Sequence, residues 1–182
     1  ILMLAPSPVY LAEDIARLGA DQSLGDIITA RAMNEALSGT GLRLRAHVKL
    51  ETGMGRTGFN VSDPAAFSEV KELLSLPNIE VVGAFTHFAV SDVPGETYTE
   101  RQYKLFTEAV EWLEYDTGKS LGIKHCVNSG AMVNYQWMAL DMVRPGLVLY
   151  GLYPAAEKDG LDLRPVMELK TRVYELTHHK KG

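Results

Sequence analysis

Short apolar clusters alternate with stretches of helical spacing along nearly the whole chain, and this alternation restricts the fold more than any other feature. Residues 1–5 read as a strand closed by Pro6-Ser7-Pro8. Leu11, Ile15 and Leu18 then recur at helical spacing up to Gly19, a helix-ending residue. Residues 26–29 read as a second strand, 30–37 as a second helix and 43–50 as a third strand. Asp63 caps a helix with Pro64 at its first position, and Phe67, Val70, Leu73 and Leu74 form its apolar face. Residues 77–88 supply a fourth strand ending in Thr86 and His87. Tyr103, Phe106, Val110 and Leu113 mark a long helix that ends near Gly118. Residues 123–127 form a fifth strand, Asn128-Ser129-Gly130 opens a short helix, and 141–144 make a sixth strand. Strands separated by helices imply a parallel sheet. Six such units without a long sheet-reversing loop favour an incomplete (β/α)8 barrel, with a doubly wound sheet as the alternative.

The third strand carries the most specific chemistry. Arg43, Arg45, His47 and Lys49 alternate with Leu44, Ala46, Val48 and Leu50, and the strand runs into the glycine-rich turn Gly53-Met54-Gly55-Arg56-Thr57-Gly58. A lone arginine on flexible backbone suits an anionic ligand, whereas the plainer reading is a solvent-facing polar strand and an ordinary loop. The turn spells G-x-G-x-x-G but is not a dinucleotide fingerprint. That motif needs its glycines to open a helix, and here the helix starts only at Asp63-Pro64.

Bulk properties exclude several classes. The 182 residues suffice for one sizeable core, and 46% hydrophobic with 23% charged residues describes a folded chain. A net charge of -5 offers no basic face to nucleic acid, and no apolar run reaches the length of a membrane span. The single cysteine, Cys126, permits no internal disulfide and fits a reducing, cytoplasmic compartment. Ile1 opens the chain without an initiator methionine and His178-His179-Lys180-Lys181 closes it after the strand-like 171–176. An internal piece of a longer protein is therefore expected.

Other residues stand where barrel active sites collect, at strand ends. Lys49, if desolvated, can form a Schiff base or neutralise an acid; if solvated, it does neither. His87 reads as an acid–base group, a stacking partner or a structural histidine. Asn128-Ser129-Gly130 and Arg144-Pro145-Gly146-Leu147 each follow a strand and offer backbone N–H groups. If the first two barrel strands are missing, these loops follow strands seven and eight, where barrels often bind phosphate; otherwise they are ordinary turns. No metal motif occurs, and the adjacent histidines near the end read as a solvated linker.

Four segments together resemble the alanine racemases in order and spacing: H-V-K-L-E-T-G-M-G-R-T-G-F, F-T-H-F-A, H-C-V-N-S-G-A and R-P-G-L-V-L-Y-G-L-Y-P. The resemblance implies a pyridoxal-phosphate (PLP) isomerase that supplies D-alanine for peptidoglycan. Such enzymes have an N-terminal (β/α)8 barrel, a C-terminal β domain and a homodimeric assembly. Residues 1–165 would then be the barrel from its third strand, and 166–182 a linker with the first strand of the β domain.

Carried across residue by residue, Arg56 matches the arginine that engages the substrate carboxylate. Lys49 matches a lysine often carbamylated to orient that arginine, and His87 a histidine lying against the cofactor ring. Ser129, Gly146 and Leu147 match phosphate-binding positions, with Asn128 nearby. Arg144 matches the arginine facing the pyridine nitrogen, where a permanent donor keeps that nitrogen unprotonated and the ring a weaker electron sink. Glu51 replaces a more usual aspartate. The lysine that holds PLP and the tyrosine that acts as second base have no counterpart in this chain, so the piece alone is expected to be inactive. Alternatives are a racemase of other or broader specificity and a non-catalytic PLP-binding module. Exposed edges on the first and sixth strands would also favour pairing with another chain.

Overall fold

The structure, a computed structural model, describes residues 1–155 and 160–181. Its frame comprises β1 (Leu2–Met3), β2 (Asp21–Leu24), β3 (Leu44–Glu51), β4 (Phe59–Asn60), β5 (Ile79–Phe85) and β6 (Ile123–His125). All pairings are parallel, in the order β1-β2-β3-β5-β6, with the short β4 added at the end of β3. Strands therefore lie side by side in chain order, without the reversal that defines a doubly wound sheet. The sheet curls as part of a barrel. The helices α1 (Ala12–Arg17), α2 (Ile27–Ala36), α3 (Pro64–Leu73), α4 (Thr97–Thr117) and α5 (Ser129–Asn134) occupy the connections.

The local signals explain most boundaries. Asp63 accepts a hydrogen bond from Ala65 N–H at the start of α3, with Pro64 where no N–H is needed. Gly118, left-handed at φ 63°, ends α4. The two faces of β3 part company as its alternation requires. Leu44, Ala46, Val48 and Leu50 join Met33, Leu37, Val70 and Leu73 in one apolar cluster, each at most 1% exposed. Each large member of that cluster contributes roughly 1.5–3 kcal/mol of burial. The opposite face is divided: Arg43 and Arg45 are exposed, as the plainer reading allowed, whereas His47 and Lys49 are buried. From His47 to Leu50 both faces of β3 are covered, as in other parallel sheets.

Three expected strands differ from the structure. Residues 26–29 begin α2 instead, with the Asp26 carboxylate accepting from Thr29 N–H. The strand lies just before, at Asp21–Leu24, and its polar Gln22 and Ser23 are buried, which disguised it. Residues 141–144 run along β6 without forming a strand. Asp141 N–H bonds Lys124 O and Arg144 N–H bonds Val127 O, while the Asp141 carboxylate takes the Lys124 N–H. A side chain thus fills the place of a ladder bond. Residues 171–176 lie in a stretch, 161–181, that carries neither helix nor strand; a strand needs a ladder partner, and the described residues provide none.

Candidate active site

His87, Asn128, Ser129, Arg144, Gly146 and Leu147, each singled out in the sequence, line one cavity of about 410 Å³. Met54 of the glycine-rich turn lines it as well. The other two predicted residues lie elsewhere. Lys49 lines a second cavity of about 290 Å³ with Ser23, Asp26, Thr57 and Gly58, and the exposed Arg56 lines neither. The glycine-rich turn is a shared wall, giving Met54 to one cavity and Thr57 and Gly58 to the other.

At one end of the larger cavity, the Asn128 carboxamide caps α5 by accepting from Ala131 N–H, and it also accepts from the Ser91 hydroxyl. Ser129 Oγ, 4% exposed, accepts from Gly146 N–H at 2.9 Å and Val148 N–H at 3.5 Å. Those bonds leave its own O–H as a donor. The loop after β6 and the loop after residue 144 are joined through this hydroxyl.

A second group runs along the barrel interior. Arg144 Nη1 lies 2.5 Å from His125 Nδ1, and Nη2 donates to Thr86 O and Cys126 O. His125 Nε2 lies 2.8 Å from His47 Nδ1, and His47 Nε2 stands 3.7 Å from Asp21 Oδ2. Guanidinium nitrogens only donate, so His125 Nδ1 accepts; its proton sits on Nε2 and points to His47 Nδ1, which leaves the His47 proton facing Asp21. Burial, then the Arg144 and His47 charges, push His125 down to about 3. His47 is lowered mainly by burial, and both rings are neutral at pH 7. Burial lowers Arg144 to about 10, which leaves it charged. Phe85 stacks on His125 at 4.9 Å, with Arg144 Cζ 5.1 Å and Lys49 Nζ 5.9 Å from its ring.

No sequence motif announces the Asp21–His47–His125–Arg144 chain. Alternation in β3 did place His47 on the same side as Lys49, and Gly83 is the further clue. The β3–β5 register slips between Ala46 and His47, so that His47 faces Gly83, where any Cβ would fall inside the imidazole.

Lys49 Nζ donates to Thr57 Oγ1 at 2.6 Å. Burial, then the Arg56 charge, lower its pKa, with Glu51 opposing. His87, half-buried, is pushed down to about 4 by burial and then by Arg144, Arg56 and Lys49, so it too is neutral at pH 7. Arg56 makes no side-chain hydrogen bond or ion pair among the described residues, and its turn is fixed through backbone. The Glu51 carboxylate accepts from the N–H groups of Gly53, Met54 and Arg56. Burial alone would raise Glu51, yet those backbone donors bring it below the usual carboxylate value.

The model of the alanine racemase N-terminal domain matches residues 1–154. An alanine racemase of Clostridium perfringens is 37% identical over 175 residues, which are 95% of this chain and 45% of that protein. The chain thus spans about half the length of the curated relatives it matches. Among solved structures, the alanine racemase of Clostridium difficile 630 in complex with cycloserine superposes with a TM-score of 0.83 at 34% identity. The match covers 91% of this chain and 45% of that one. A histidine racemase from Leuconostoc mesenteroides gives 0.77 at 25% identity, over 91% and 44%.

Proposed function

Because this chain belongs to the alanine racemase N-terminal domain family, we propose that it forms the cofactor-holding part of an enzyme that interconverts L- and D-alanine. The observation that carries this reading is the convergence of His87, Asn128, Ser129, Arg144, Gly146 and Leu147 on one cavity. The cavity suits pyridoxal phosphate. The Ser129 O–H and the backbone around Gly146, with no Cβ in the way, fit a phosphate group. The neutral His87 ring fits against a planar heterocycle. Arg144 engages the protein through both terminal nitrogens, which leaves Nε to donate to a ring nitrogen. When bound, the cofactor withdraws electron density from the substrate carbon that loses and regains its proton.

This chain's residues then divide the work. Arg144 stays charged, because neutral His125 accepts from it instead of competing for a proton, so a ring nitrogen facing Arg144 stays unprotonated. That restrains the cofactor's electron withdrawal and favours return of the proton over side reactions. Arg56 binds the alanine carboxylate. Lys49 is buried, has a lowered pKa and faces a cavity, conditions that favour addition of CO2 to its neutral amine with loss of one proton. The resulting carbamate would face the Arg56 side and orient it. The lysine that holds the cofactor and the tyrosine that serves as second base belong to the remainder of the protein. That tyrosine comes from the partner subunit of a cytoplasmic homodimer, which supplies D-alanine to peptidoglycan. Residues 166–182 lead into its C-terminal β domain.

The test is racemisation by the full-length protein, followed by chiral chromatography from either enantiomer. Arg56→Ala should reduce kcat/KM by about 10²–10³-fold, as losing one pre-aligned donor does elsewhere. Turnover at wild-type rates in that variant would overturn the role of Arg56. Activity of the 182-residue chain alone would overturn the division between this segment and the rest. The likeness to a histidine racemase supports a second reading, broader amino-acid specificity. A panel of amino acids run beside alanine separates the two.

A further inference from the structure

Arg56 and His87 come from different strand ends, β3 and β5, and both must face one bound molecule if the proposed function holds. Besides a Thr52–Thr86 hydroxyl contact, what ties one to the other lies outside both loops. It is in α4.

Gln102 of α4 is fully buried, and its carboxamide reaches both strand ends. Oε1 accepts from Ala89 N–H at 2.9 Å, while Nε2 donates to His87 O at 3.2 Å and to Thr52 Oγ1 at 3.3 Å. Thr52 Oγ1, already accepting from Gln102, lies 2.7 Å from Thr86 Oγ1, and Thr86 O accepts from Arg144. One buried amide is therefore bonded on both sides of Phe88, to His87 O and Ala89 N–H, and to the residue that enters the Arg56 turn. One helical turn earlier, on the same face, Tyr98 Oη donates to Gly53 O at 2.7 Å. Gly53 sits at φ 132°, and a Cβ there would strike the Tyr98 hydroxyl, so turn and tyrosine are in direct contact. Glu51 holds the turn from inside, and α4 holds it from outside.

We propose that Tyr98 and Gln102 are positioning residues that couple the Arg56 turn to the His87 strand end. Neither touches the main cavity. They act through Thr52, Gly53, His87 and Ala89, and their consequence for catalysis rests on the racemase reading above. A buried amide with all its partners in place resists substitution, because each lost bond leaves an opposing group unsatisfied.

The experiment uses the full-length holoenzyme with Tyr98→Phe, which removes one hydroxyl from a part-exposed ring, and Gln102→Met, which keeps length and volume. Amide hydrogen exchange is followed at residues 53–56 and at Ala89, alongside KM and kcat for alanine. Gln102→Met should speed exchange about tenfold at both places, the scale of one lost hydrogen bond. Tyr98→Phe should do so only at 53–56. In both variants KM for alanine should rise more than kcat falls, since it is the carboxylate-binding turn that loosens. Faster exchange at Ala89 with 53–56 unchanged in Gln102→Met would overturn the coupling. Should Gln102→Met not fold, Tyr98→Phe decides alone: unchanged exchange at 53–56 overturns the clamp. If the wild-type protein racemises nothing, the racemase reading fails, while the exchange data still judge the coupling.

Discussion

The two arginines of the site are held in opposite ways. Arg144 is half-buried and anchored by its own side chain to His125, Thr86 O and Cys126 O, at the end of a file of groups crossing the barrel interior. Arg56 is exposed, and its guanidinium bonds to nothing among the described residues; only its backbone is held, through Glu51. A side chain fixed at several points suits a partner that stays through every turnover, because its bonds need not re-form. A free guanidinium on an anchored turn suits a ligand that arrives and leaves. Under the proposed function the same residue type serves a resident and a visitor, and the difference lies in what supports it.

Acid should separate the two supports, and here the largest effect is expected. Folded His125 has its pKa depressed to about 3, below the 6.5 of the unfolded chain, so the unfolded state takes up the proton first. Its contribution to stability is complete above pH 6.5 and is lost as the pH falls towards 3, on the order of 5 kcal/mol in all. Glu51 is also depressed, but from 4.5, so its contribution persists until the pH drops below that value. Urea unfolding of the full-length protein between pH 7 and 5 should therefore weaken the Arg144 support and leave the Arg56 turn intact. His125→Gln should flatten that slope by the uptake of one proton. An unchanged slope would mean that His125 does not control the interior file.

Glu51→Gln works the other way. The substituted amide still offers one oxygen to the turn but loses its charge and presents N–H groups towards donors. We expect a loss of about 1–2 kcal/mol, with faster amide exchange confined to 53–56 and no change in the titration of His125 by NMR. Altered His125 titration would show that the supports are not independent.

The same contrast governs what was legible in the sequence. The strand-and-helix alternation gave the barrel class, and alternation in β3 placed Lys49 inward. Strand-end position singled out His87, Asn128, Ser129, Arg144, Gly146 and Leu147, which line one cavity. Features set by local chain chemistry were readable: caps such as Asp63, the helix stop at Gly118, the turn around Arg56. Features set by pairing across the sheet were not. β2 is hidden because buried Gln22 and Ser23 imitate an exposed segment, and 26–29 imitate a strand although only Ile27 of the four is buried, at the start of α2, while Ile28 is exposed. His125 gave no signal of its own, since its role depends on a partner 78 residues away on β3. Nothing in the sequence sets Gln102 apart from the other polar residues of α4.

The smallest effect tests whether the resident side is as rigid as its bonds suggest. Ser129 Oγ joins two loops by accepting from Gly146 and Val148, and it is buried. Ser129→Ala removes the acceptor and the hydroxyl donor together, and it leaves Gly146 N–H without its partner. The cost should be about 1 kcal/mol, read as a fall of roughly fivefold in the affinity of the full-length protein for pyridoxal phosphate by equilibrium dialysis. KM for alanine should stay unchanged once the cofactor is saturating, because the hydrogen bonds of the Ser129 side chain go to Gly146 and Val148 and not to the Arg56 turn. A rise in KM under saturation would show that the loops holding the resident also shape the visitor's place, and the contrast between the two arginines would then fail at its cofactor end.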